Sequence, residues 1–201
     1  MTESSSPEGE PLMTRVFVPY ATAIGFLLRE WNDLQDALAD LFVTIFGIRD
    51  GGLALAVWHA IPSDRLQRRM LRSLASYLFK PTESTDLDAT QRANAAVWKE
   101  IEWILTSADS LGAKRDAAAH SPVALLLSEP IEFIAHHLHG NPSAKTLKGK
   151  NLLAEFKLYQ DRAATLHHHA DQIEYYLRQG RRHKLPKRPS WPERPSKKKG
   201  A

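Results

Sequence analysis

The stretch Lys114-Arg115-Asp116-Ala117-Ala118-Ala119-His120-Ser121-Pro122 gathers an ammonium, a guanidinium, a carboxylate and an imidazole within nine positions. In a helix, Asp116 and His120 stand at i and i+4 on one face, where a carboxylate can orient an imidazole or favour its charged form. Arg115 lies one residue round, with a side chain long enough to reach the same patch. Pro122 disfavours helical geometry at Ser121, so His120 falls in the last turn, where unpaired carbonyls favour a cation. A histidine titrating near neutrality suits general acid/base work, and an arginine beside it can hold a phosphate or the charge of its transition state. The structural alternative is that Lys114, Arg115 and His120 are simply cations placed where a helix C-terminus favours them.

The same spacing recurs from Arg162 to His167 and from Arg178 to His183, but Ala163 follows the first arginine and the second pair runs into a glycine-containing basic tail. Only the Arg115 copy combines a charged second residue, a preceding amphipathic run and an abrupt stop. Among other clusters, His167-His168-His169 resembles a metal set, yet consecutive helical residues point about 100° apart and do not converge on one ion. His137 and His139, beside His136, alternate onto one face of a strand, but no carboxylate or cysteine partner is in view. Surface or partly buried histidines are the reading for both. Arg65, Arg68, Arg69 and Arg72 form an exposed charged side of a helix, a solvated face with phosphate binding as the alternative. No phosphate-cradling glycine loop, nucleophile elbow or zinc-protease motif is present, so neither cofactor nor metal is expected. The absence of cysteine excludes disulfides, thiolate zinc sites and a cysteine nucleophile.

These groups are positioned by helices. Residues 1–13 read as a disordered leader. From Thr14 to Ile48, Leu27, Trp31, Leu34, Leu38, Leu41, Phe42 and Ile45 recur at helical spacing, and Gly47 supplies the stop. A second helical region runs from Leu53 to Phe79, broken early by Pro62, with Ser63 or Asp64 as N-cap and Gln67 completing a capping box with Asp64. Lys80 to Asp88 is a loop, and the next helix begins near Ala89. Gly112 is expected to loosen or kink it, and periodicity leaves open whether Arg115 to His120 continues this helix or forms a short separate one. Val123 to Leu127 and Ile131 to Leu138 read as a small β-hairpin, and Gly140 to Gly149 as a flexible polar loop. Asn151 caps a last helix from Leu152 to about Gln179, ended by Gly180. Most tryptophans occupy stripe positions and belong to the core, except Trp191, which is stranded in the tail.

The fold class is therefore all-α, an antiparallel four-helix bundle with a small inserted β-hairpin. The bundle domain spans residues 14–180, with the hairpin at about 123–138, followed by a disordered, basic, proline-rich tail at 181–201. That tail carries nine Lys/Arg and one Glu, net +8, so the formal +4 of the whole chain leaves about −4 on residues 1–180. Attraction to nucleic acid would come mainly from the tail. The acidic, polar N-terminus is no secretory signal, and the apolar run from Val16 to Leu28 is interrupted by Pro19 and too short to cross a bilayer. A soluble cytoplasmic protein without a membrane partner is expected.

Arg115, its charged neighbour and His120 together resemble the Arg-x4-6-His motif of HEPN domains, all-α dimeric modules that include metal-independent ribonucleases. Trp58 and His59, with Ile61-Pro62-Ser63-Asp64 after them, resemble the second-helix region of uncharacterised bacterial members. The resemblance covers mainly residues 53–122 and the helical order; the hairpin and the basic tail lie outside it. It implies attack of a ribose 2′-hydroxyl on the adjacent phosphate, in a cleft between two protomers. Arg115 would contact the scissile phosphate, His120 would move protons and Asp116 would tune or orient the pair. One histidine per chain cannot easily be base and acid at once, so the resemblance also implies a homodimer acting on RNA. Two alternatives stand beside it: a non-catalytic helical dimer, as an adaptor or with an antitoxin-like protein partner, and a nucleic-acid-binding protein working through its tail.

Overall fold

A computed structural model describes residues 11–47, 51–81, 87–127, 131–136 and 142–194. The apolar stripe read between Thr14 and Ile48 forms α1 (Leu12–Phe46), and Leu27, Trp31, Leu34, Leu38, Leu41, Phe42 and Ile45 are all buried. Gly47 ends α1 in the left-handed region at φ 68°, donating its N–H to the Val43 carbonyl. The short α2 (Gly51–His59) buries Ala54 and Trp58.

Ser63 is the N-cap of α3 (Asp64–Phe79), its hydroxyl accepting the Leu66 N–H at 3.3 Å. Asp64 is thus the first helical residue, its carboxylate free to reach a neighbouring helix. The Gln67 amide donates to the Trp58 carbonyl at 3.2 Å rather than closing a box with Asp64. A true capping box, Asp88 with Gln91, opens α4 (Ala89–His120), which runs unbroken through Gly112. The Arg115 motif is therefore the C-terminal end of a long helix.

The hairpin pairs β1 (Val123–Leu126) with β2 (Glu132–Ala135) in antiparallel register, Val123 opposite Ala135 and Leu126 opposite Glu132. Phe133 fixes it to α1, with its ring 5.0 Å from that of Tyr20. Its turn, together with His137 and His139, lies outside the described residues. Within the stretch expected as a loop, α5 (Pro142–Leu147) forms because Ala144 and Leu147 are buried beneath it. Asn151 caps α6 (Leu152–Arg178), which buries Phe156, Tyr159, Ala163, Leu166, Ala170 and Ile173.

The four long helices make an all-α bundle with the hairpin inserted between α4 and α5. The expected antiparallel order holds for α4 against α3 and against α6. Contacts of Tyr20 with Phe156 and of Thr44 with Glu174 show instead that α1 and α6 run in the same direction. Trp31 meets Asp64 at the start of α3, and Ile45 and Phe79 line one cavity at its end, so α3 also runs with α1; α2 carries the chain back between them, and α4, antiparallel to both α3 and α6, leaves α1 and α6 parallel.

The C-terminal segment is not a free tail. Residues 181–194 lie along the bundle, beginning with a 3₁₀ turn (Arg182–Lys184). Their composition predicts disorder from a lack of apolar surface, but here arginines and Trp191 bind aromatic rings and carboxylates that the helices already present.

Candidate functional site at the end of α4

Arg115 turns from α4 toward α3 and α1. Its Nη2 donates to Asp64 Oδ2 at 2.7 Å, its Nη1 lies 3.3 Å from Asp116 Oδ1, and its guanidinium sits 4.9 Å from the Trp31 ring centre. Trp31 Nε1 donates to the same Asp64 oxygen at 2.9 Å. The side chain is 22% exposed, and its Nε is buried with no hydrogen-bond partner. Asp64 can serve both donors because Ser63 took over the capping role.

This contact is the last rung of an ionic ladder between the antiparallel α3 and α4. Arg68 Nε donates to Asp109 Oδ1 at 2.8 Å, Arg72 Nη1 to Asp109 Oδ2 at 3.0 Å, and Arg72 Nε to Glu102 Oε2 at 2.9 Å. Asp64, Arg68 and Arg72, spaced by one helical turn, thus meet Arg115, Asp109 and Glu102 in descending order. Arg68 also lies over Trp31, 5.3 Å from its centre, so guanidinium groups from α3 and α4 both stack on that indole. Burial would raise the Asp109 carboxyl, but hydrogen bonds from Arg68 and Arg72 outweigh it and hold the group below the usual carboxylate range.

The arginine cluster of α3 is accordingly divided. Arg68 is buried and Arg72 partly so, both engaged with α4, while Arg65 and Arg69 are exposed. The expectation of a single solvated face is corrected by the partner carboxylates on α4, which the α3 sequence does not reveal.

His120 is exposed in the last turn of α4 and makes no hydrogen bond or ion pair with any described residue. Asp116, 57% exposed, is paired with Arg115 and not with His120. Five residues along a helix amount to about 140° of rotation, so Arg115 and His120 leave the axis on different sides. One chain therefore brings Arg115 and Asp116 together and leaves the imidazole apart.

The histidine run on α6 divides as its helical spacing requires. His169 is buried, with Nε2 3.0 Å from Glu100 Oε2 and its ring edge-on to Trp103. His167 Nε2 is 3.1 Å from Asp171 Oδ2, and His168 stacks on His167. Carboxylates that the local sequence does not supply come from α1: Glu30 and Asp33 approach His167 within 4.8 Å, and Arg29 is within ion-pair reach of both. His136 is exposed at the end of the hairpin.

A second polar region, missed by sequence reasoning, lies where the C-terminal segment crosses α4 and α6. Arg188 grips Glu100 through Nε at 3.1 Å and Nη2 at 3.0 Å, and lies over Trp103. Trp191 packs edge-on against Trp103, with Arg162 over its own ring. Arg194 holds the buried Glu155 at 2.8 and 3.0 Å, and Tyr159 donates to Glu155 at 2.5 Å. Burial would raise the Glu155 carboxyl, but the bonds from Tyr159 and Arg194 bring it below its ordinary value. Burial and the bond to Glu155 both push the Tyr159 hydroxyl far up, so it stays a donor. The one available signal was a tryptophan in an otherwise basic, proline-rich segment.

Comparison of the chain with protein-family models, with curated proteins and with solved structures finds no match. Among the described residues, no helix is long and apolar enough to cross a membrane.

Proposed function

We propose that the protein is a HEPN-like, metal-independent endoribonuclease that works as a homodimer, with His120 of each protomer moving protons at a shared site. The observation that carries this reading is the state of His120: exposed, without a hydrogen-bond or ion-pair partner among the described residues, and in the last turn of a long, capped helix. An imidazole with no structural duty there is available to a substrate. In the reaction, one His120 takes the 2′-hydroxyl proton as the oxygen attacks the adjacent phosphorus, and the other protonates the departing 5′-oxygen. The products are a 2′,3′-cyclic phosphate and a 5′-hydroxyl, with no net proton change. Arg115, oriented by Asp64 and Trp31, would offer its guanidinium to the phosphate. Phe17, Val18 and Phe26, exposed on α1, supply apolar surface that a second copy can cover.

A second reading is favoured by the same arginine. Arg115 is held within its own chain by Asp64, Asp116 and Trp31, as expected of a structural rung, and this suits a non-catalytic helical dimer that acts as an adaptor or binds an antitoxin-like partner. Incubating the full-length protein with mixed RNA in excess chelator separates the two. Cleavage by the wild type, lost in His120→Ala with an unchanged unfolding temperature and a dimeric mass, supports the enzyme. RNA left whole by the wild type, or cut equally by His120→Ala, removes it and leaves the non-catalytic reading.

A further inference from the structure

The C-terminal segment completes a cleft on the α6 side of α4, away from the ionic ladder. Its volume is about 270 Å³, and Trp103, Ser107, Ser110 and Lys114 from α4 face Trp191 from the segment. Ser107, Ser110 and Lys114 are spaced three and four residues apart, so they share one helical face. Arg188 lies over Trp103 and Arg162 over Trp191, the two indoles meet edge to face, and both line the cleft.

Charge in this region is unbalanced. Lys114 feels Arg162, Arg194 and Lys150 on one side and Glu155 on the other, and Glu155 is itself held by Arg194 and Lys150. Lys114 and Arg162, both half-buried, have no carboxylate partner among the described residues. Lys114 has only the Tyr159 ring, 5.9 Å away, and Arg162 has the Trp191 ring and the Pro192 carbonyl at 3.0 Å. Half-buried cations without a counter-ion are unfavourable, and an arriving anion relieves them. Consistently, burial first, then Arg162 and Arg194, lower the Lys114 ammonium below its ordinary value, against the opposing pull of Glu155.

We propose that this cleft binds a nucleotide: its phosphate on Lys114 with the Ser107 and Ser110 hydroxyls, its base against Trp191 and Trp103. An aromatic wall beside unpaired cations and hydroxyl donors matches a phosphorylated base better than inorganic phosphate or a carboxylate metabolite. The nucleotide can be free or one unit of a single-stranded RNA. The site needs no cleavage chemistry and stands apart from the ribonuclease reading.

Isothermal titration of the full-length protein with uridine monophosphate, with inorganic phosphate and with a 2′-O-methyl oligouridylate tests it. The methylated oligomer lacks the attacking hydroxyl, so binding is read whether or not the protein cuts RNA. The nucleotide is expected to bind at least about tenfold more tightly than phosphate, and Trp191→Leu and Lys114→Met each to weaken it at least about tenfold. Ser110→Asp, at an exposed position that leaves the core untouched, is expected to abolish binding by repelling the phosphate. Tighter binding of the oligomer than of the monophosphate assigns the site to RNA; equal binding assigns it to a free nucleotide. Absence of binding at millimolar ligand, equal affinity for phosphate and nucleotide, or an unchanged affinity in Ser110→Asp overturns the proposal.

Discussion

Arg115→Ala should destabilise the protein, whereas His120→Ala should not, although both residues belong to one motif. Removing the Arg115 side chain deletes a charged hydrogen bond to Asp64, a class worth about 1.5–3 kcal/mol. It also deletes a stack on Trp31, worth about 0.5–2 kcal/mol. The pair is partly open, with side chains 22% and 38% exposed, so solvent screening trims the sum. A net loss of about 2 kcal/mol remains, which for a chain of this length lowers the unfolding temperature by about 4–8 °C. His120 is exposed and has no partner among the described residues, so its truncation should stay within about 0.5 kcal/mol of the wild type. Thermal unfolding followed by far-ultraviolet circular dichroism measures both. An Arg115→Ala protein that unfolds with the wild type would refute the ladder's contribution to stability. The outcome also governs how enzymology is read, because activity lost in Arg115→Ala mixes folding with chemistry while activity lost in His120→Ala does not.

Gly112→Ala improves helix propensity by about 1 kcal/mol yet should destabilise the protein, because the new Cβ would sit 3.1 Å from Trp31 Cη2. Trp31 is buried and held by Arg68 and Arg115, so it cannot yield; a net loss of about 1 kcal/mol in urea unfolding is expected, and a gain would show that the indole moves. The Asp109 carboxyl is held low in the folded state, so its contribution is present above its unfolded value, near pH 4, and is lost as pH falls through the lower folded one. Asp109→Asn should therefore be less stable at neutral pH and lose less on acidification below about pH 4, measured as urea midpoint against pH; parallel curves would contradict the assignment.

Much of the fold is legible along the chain. The stripe of α1, the Asn151 cap, the Gly47 and Gly180 stops and the paired β runs are local signals, and each element forms where its spacing places it. A glycine's packing partner is invisible from its neighbours in sequence: Gly112 does not interrupt α4 and marks its close approach to Trp31.

By itself, then, the amino-acid sequence determined which segments coil, which faces turn inward, and that an arginine, an aspartate and a histidine end one helix. It did so because helical period and capping act within a few residues. Only the tertiary structure decided what those groups meet. Asp64 lies 51 positions from Arg115, Glu100 lies 88 from Arg188, and Glu155 lies 39 from Arg194. Such pairs exist only once helix packing has brought distant carboxylates into reach, and that packing ties Arg115 into the ladder and the basic tail onto the bundle while leaving His120 exposed.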